Sequence, residues 1–215
     1  MPNIECMEIL EQYGNIPIDY STILHHFGNL KSPKDKISKL EKSGELIRLK
    51  KGKYLVANNI KNNPPSSELI ANHLYGPSYV SFETALSFHG MIPERVYVIK
   101  SSITKRRKSF KTPFGLFEYI SVPEKYYSIG IKQHVMHDNY AFIMASPEKA
   151  LCDLIITSKG LRFQSKKALR KYLLEDLRID FENTYNMNAE IFREANEYGS
   201  KKKELSLLYQ LFSTS

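Results

Sequence analysis

The residues of this chain best suited to chemistry are its cations. Between Gly44 and Val56 the sequence reads GELIRLKKGKYLV, which crowds Arg48, Lys50, Lys51 and Lys53 around a turn between two apolar runs, Leu46-Ile47 and Tyr54-Leu55-Val56. Gly52 supplies the positive φ that a tight hairpin demands. Charges at a hairpin tip add nothing to a core, but they can reach phosphates. From Lys31 to Lys53 nine basic residues stand against three acidic ones, a local balance of +6 in a chain of net charge +8. A second stretch, Arg95 to Lys111, holds seven basic residues and no acidic one, centred on Lys105, Arg106, Arg107 and Lys108. Together the two carry +13, which leaves the remainder at −5. A field divided in this way steers toward a polyanion. The second stretch suits either a nucleic-acid backbone tracked beside the hairpin or an acidic protein partner, and its bland reading is a solvated loop.

Other chemistries find less support. His25 and His26 are adjacent on a helix and point apart, and strand alternation separates His134 from His137, so neither pair chelates easily. His89 falls on the apolar side of its helix, the usual place of a satisfied core histidine. Cys152 sits in an apolar helical stripe, far from Cys6 and outside any CxxC pattern, which reads as a buried inert thiol. Glu148 and Asp153 lie five apart on different helix faces, so a paired-carboxylate site would need a third acid from elsewhere. No GxxxxGK[ST] loop occurs, nor a GxGxxG after a strand. The expectation is therefore no catalytic residue, no metal and no cofactor. Tyr119, Tyr126 and Tyr127 could stack on bases, but tyrosines in a sheet domain more often line its core.

The elements that must position the cations follow from periodicity. Ile4, Ile9 and Leu10 fit a first helix stopping at Gly14, and Asp19 to Phe27 a second stopping at Gly28. Ser32 and Pro33 take the N-cap and N1 positions of a third, Asp35 completes a Ser-x-x-Asp capping pattern, and Ile37 and Leu40 turn inward. Its other face carries Lys34, Ser38 and Lys39, with Lys31 and Ser32 at its start. Helix, turn, helix and basic hairpin in this order predict a winged helix-turn-helix over residues 1–60, whose third helix reads bases while lysines neutralise phosphates.

Asn58 to Ser67, NNIKNNPPSS, reads as a linker. Beyond it, residues 66–215 predict a second domain with helices at Ser67–Leu74 and after Ser81. Strands follow at Arg95–Lys100, Leu116–Val122, Ile131–Met136 and Tyr140–Ala145, with turns at Pro113-Phe114-Gly115 and His137-Asp138-Asn139. Helices then start at Ser146-Pro147 and run around Ser165–Leu174, Asn188–Glu197 and Lys201–Phe212. The fold class is α+β, with a mixed or antiparallel sheet. At 215 residues and 42% hydrophobic the chain can bury a sizeable core. It has no apolar run of membrane-spanning length, and Glu5, Glu8 and Glu11 replace a signal-peptide pattern, so a cytoplasmic protein with reduced thiols and no membrane partner is expected.

Three blocks carry a resemblance: RLKKGKYLV at 48–56, YVSFETALSFHGMIPE at 79–94 and SPEKALCDLI at 146–155. They resemble, in order, an Arg-Leu-x-x-Gly-x-Tyr wing, a Ser-x-x-Ser-Ala-Leu helix followed by His-Gly-Leu, and a Pro-Glu-Lys-Ala-Leu helix start of AbiEi-type antitoxins. Those are the transcriptional-repressor halves of type IV toxin–antitoxin systems linked to phage defence. Thr84 and Met91 depart from the pattern, mildly and in packing positions. The resemblance implies a winged-helix domain binding double-stranded operator DNA upstream of its own operon. It also implies a C-terminal domain that neutralises a cognate nucleotidyltransferase-like toxin of the AbiEii type. By the family's pattern Arg48, Lys50, Lys51, Lys53, Lys34, Ser38 and Lys39 would meet DNA, and Arg106, Arg107 and Lys108 would act in the second domain. The alternative expectation is a nuclease-like or nucleotide-handling enzyme delivered to DNA by the winged helix.

Overall fold

The computed structural model describes residues 2–28, 30–60, 64–136, 140–184 and 187–213, with backbone alone for 2–6, 59 and 183. The chain opens with α1 (Pro2–Glu11), and the turn after it contains Gly14 at φ +58°. Then follow β1 (Ile18–Asp19), α2 (Tyr20–His26), α3 (Pro33–Lys42), β2 (Leu46–Lys50) and β3 (Lys53–Val56). The three strands pair antiparallel in the order β1-β3-β2.

The hairpin's register explains why all four residues of β3 are buried. Leu46 faces Val56, Ile47 faces Leu55 and Arg48 faces Tyr54, so alternation sends Leu46, Tyr54 and Val56 to one side and Ile47 and Leu55 to the other. The first side closes a small core with Leu10, Ile18, Ile23, Phe27, Ile37 and Leu40. The second, with Leu49, joins a much larger core built by the rest of the chain. One hairpin thus seals two cores.

The short helix α4 (Ala57–Ile60) runs into the stretch expected as a linker from Asn58, and residues 61–63 lie outside the described set. The larger part runs through α5 (Ser67–Leu74), β4 (Ser78–Val80), α6 (Phe82–Phe88), β5 (Val98–Ile103), β6 (Lys108–Thr112), β7 (Gly115–Ser121) and α7 (Glu124–Tyr127). It then continues through β8 (Ile131–Val135), β9 (Ala141–Ala145), α8 (Pro147–Thr157), α9 (Lys166–Glu175), a 3-10 turn at Phe181–Thr184, α10 (Ala189–Tyr198) and α11 (Lys202–Phe212). Its six strands lie in the order β6-β7-β5-β4-β9-β8. The β5–β7 and β4–β9 pairs are parallel and the others antiparallel, so the sheet is mixed and the class is α+β. Tyr119 of β7 donates 2.6 Å to the Ala71 carbonyl of α5, while Ser102, on the other face of β5, donates 2.9 Å to Asp153 of α8. Helices therefore cover both faces.

Several expectations shift. β5 starts at Val98 rather than Arg95 and extends through Ser101 and Ser102, whose polar sequence conceals a buried strand. β1, β4 and β6 escape a pattern-based reading because they are two, three and five residues long and, in β6, mostly exposed. The turn expected at His137-Asp138-Asn139 lies outside the described residues. Ser32, Ser81 and Asp19 precede helices, yet none of the three caps with its side chain, so the Ser32–Asp35 capping pattern does not form. Two of them are otherwise engaged: Ser81 Oγ donates 2.6 Å to Asp153, and Asp19 lies 2.9 Å from Lys53 Nζ.

Candidate nucleic-acid interface

On α3 the division of labour follows helical spacing. Ile37 and Leu40 are buried, while Lys34, Ser38 and Lys39 face solvent, as do Lys31 and Ser32 just before the helix. Arg48 of β2 reaches Glu41 of α3 at 3.2 Å, tethering the hairpin to this helix at the expense of part of its charge. Lys51 stands exposed at the hairpin tip, and the neighbouring Gly52, at φ +82°, accepts a 2.9 Å bond at its carbonyl from the Tyr20 amide. Lys53 corrects the expectation of a free phosphate contact. Only 7% exposed, it turns inward because β1 pairs beside it and presents the Asp19 carboxylate.

Lys50 turns toward the large sheet. Its Nζ lies 5.3 Å from the centroid of Phe110 on β6, and Lys108 Nζ lies 5.1 Å from the same ring and 5.5 Å from Tyr75. Tyr75, Phe110 and Tyr119 contact one another through tilted and edge-on rings, which fixes the rings that the two ammonium groups approach. Burial first, then the charges of Lys53 and Lys108, pull the Lys50 pKa below its ordinary value. Neither Lys50 nor Lys108 enters an ion pair among the described residues. The two basic stretches, remote in sequence, thus meet at one seam.

The loop from β5 to β6 carries the other cations outward. Lys105 Nζ donates 2.7 Å to the Gly76 carbonyl and Tyr75 Oη donates 3.2 Å to the Arg106 carbonyl, so the loop backbone is pinned to the turn after α5. Arg106 and Arg107 are exposed, and among the described residues neither forms an ion pair. Arg107 and Lys108 also border an open cleft of about 320 Å³ with Ser109, Glu118, Tyr119 and Ile120.

A different polar cluster lies under α8. Asp153 Oδ2 accepts from Ser81 and Ser102, and Oδ1 accepts 2.7 Å from Tyr126 Oη and lies 3.5 Å from Lys149 Nζ. That ammonium also donates 2.8 Å to the Tyr126 carbonyl and sits 3.0 Å from the Tyr126 ring centroid. Ser81, Ser102, Tyr126, Lys149 and Asp153 are each 0% exposed, so no solute reaches them. The positions of the 146–155 block accordingly have structural tasks. Ser146 caps α8 by accepting from the Lys149 amide, and Glu148 accepts 2.7 Å from the Asn188 amide at the start of α10. Cys152 is fully buried beside them, and burial pushes its thiol pKa well up.

Tyr119 and Tyr126 are core residues and Tyr127 is half-buried, which leaves the first two no face for a base. His89 Nε2 lies 3.0 Å from the Ala145 carbonyl, and among the described residues no three His, Cys, Asp or Glu side chains are grouped to hold a metal. One basic surface escaped the sequence reading. Lys166, Lys167, Arg170 and Lys171 stand exposed on α9, a helix held by the buried Leu169 and Leu173; its signal was the KKALRK run itself. No helix among the described residues is long and apolar enough to cross a membrane. No family model and no curated protein sequence matches the chain.

Proposed function

We propose that this chain is a DNA-binding transcriptional regulator, an autorepressor and antitoxin of the AbiEi kind whose residues 1–60 act as a winged helix-turn-helix. The observation that carries the reading is the meeting of two basic stretches on one surface. The element order of the first 60 residues and their β1-β3-β2 pairing support it, with α3 in the place of a recognition helix and the β2–β3 turn in that of a wing. Lys31, Lys34, Ser38 and Lys39 offer the base-reading and phosphate-contacting face. Lys50, Lys51, Arg106, Arg107 and Lys108 extend it along the backbone.

Titrating a duplex from the chain's own promoter region against salt tests this. Roughly four to six phosphate contacts give a log–log slope of about −4 to −5, and an affinity that stays flat between low and moderate salt removes the reading. The antitoxin half, with its cognate nucleotidyltransferase-like toxin as partner, is tested by co-expression. Rescue of cells from a toxin encoded by the adjacent reading frame supports it, and continued toxicity at matched expression counts against it.

A further inference from the structure

The geometry points to a site for a single phosphate group at the seam, held between Lys50 of the hairpin and Lys108 of β6 and bridging the two parts of the molecule. Lys50 and Lys108 approach one ring, Phe110, at 5.3 and 5.1 Å from its centroid, and neither has a carboxylate partner among the described residues. The nearest acid on the hairpin side, Asp19, is held by Lys53. That carboxylate is therefore already engaged, and Lys50 feels the repulsion of both Lys53 and Lys108. A ring quadrupole offsets part of that repulsion, but it cannot neutralise charge as an anion does.

The placement also gives binding a mechanical consequence. Lys50 belongs to the hairpin that closes the small core, and Lys108 to the edge strand of the six-stranded sheet. An anion that draws them together adds a tie across the seam to the one made by Leu49 and Leu55, so occupancy tightens the docking of the first 60 residues on the rest. The ligand class is a tetrahedral phosphate oxyanion, supplied either by a nucleic-acid backbone or by free phosphate. The first source rests on the function proposed above and the second does not.

The test uses the full chain and the Lys50→Met/Lys108→Met variant, which keeps the aliphatic cover over Phe110 and removes the charges. Thermal midpoints are compared in inorganic phosphate and in chloride at matched ionic strength, and duplex affinity is measured against salt. The expected result is a phosphate-dependent rise in midpoint for the wild type that the variant lacks and a Lys50→Arg/Lys108→Arg variant restores. With DNA, the salt slope of the methionine variant is shallower by about one unit. Equal phosphate stabilisation of wild type and methionine variant overturns the site, as does no stabilisation of the wild type. A wild type that responds to phosphate through these lysines yet binds no duplex leaves the site standing and removes the DNA reading. If the methionine variant does not fold, the singly substituted Lys108→Met chain takes its place, and a full phosphate response there contradicts the site.

Discussion

Among the described residues lysine ammonium groups meet aromatic rings in two places, with opposite outcomes. Under α8, Lys149 lies over the Tyr126 ring with Asp153 at 3.5 Å, and every partner is buried. At the seam, Lys50 and Lys108 approach Phe110 and neither forms an ion pair among the described residues. Burying a charge without its counter-charge is prohibitive, so the interior site had to carry its anion in the chain. A site at the surface bears no such constraint and can leave the anion to a ligand. One cluster holds the fold, and the other is open to recognition.

Breaking the interior member of the pair has the largest expected effect. Asp153→Ala removes the acceptor of Ser81, Ser102 and Tyr126 and strands the Lys149 charge, for a loss of about 3–5 kcal/mol in chemical denaturation. Adding Lys149→Met to that variant recovers part of the loss. A loss under 1 kcal/mol for Asp153→Ala would mean that the cluster is not structural.

Acid sharpens the contrast next. Burial is the first cause that lowers the pKa of His73, His89 and His134 below the ordinary value of 6.5, with Lys53 adding at His73 and His89 at His134. The unfolded chain then binds more protons below that value. Stability contributed by the neutral rings is complete above about pH 6.5 and is lost as pH falls through the lower folded values. Denaturation midpoints should therefore drop between pH 7.5 and pH 5.5, and less so in a His73→Gln variant.

Removing the seam charges should scarcely move stability. Lys50→Met with Lys108→Met relieves like-charge repulsion and changes the unfolding free energy by no more than roughly 0.5 kcal/mol in either direction, while duplex affinity falls. A loss of several kcal/mol would show that these lysines serve the fold instead. A comparably small effect on stability, with none on duplex binding, belongs to Lys202, whose ammonium donates to the Asn196 and Glu197 carbonyls at the end of α10. Lys202→Met should cost about 0.3–1 kcal/mol and leave duplex binding unchanged.

Much of this organisation could be read from the residues alone. The longer helices were legible where a polar start and an apolar period coincide, as at Ser32-Pro33 before α3 and Ser146-Pro147 before α8, whereas the four-residue α4 and α7 were not. The hairpin was legible from Gly52 and its flanking apolar runs. What escaped was whatever depends on a distant partner. Ser102 looks like loop until Asp153 arrives from α8, and Lys53 looks like a free cation until β1 brings Asp19. Leu49 and Leu55 reveal their second core only when the large sheet is in place. Lys201 reads only as the start of a helix, whereas its ammonium donates to the carbonyls of Ile155, Ser158 and Leu161 around the end of α8. A charge count cannot tell a recognising cation from a capping one.

That distinction supplies the most direct test of the account. Duplex affinity of the full chain is measured across a salt series for Arg106→Glu/Arg107→Glu, two exposed arginines with no ion pair among the described residues, and for Lys202→Glu/Lys203→Glu, where the cations serve carbonyl and amide oxygens. Both variants change net charge equally. The account predicts that the first pair weakens binding steeply and flattens its salt dependence by about two contacts, while the second leaves affinity and slope close to wild type. Equal losses from the two variants, or none from the first, would contradict it.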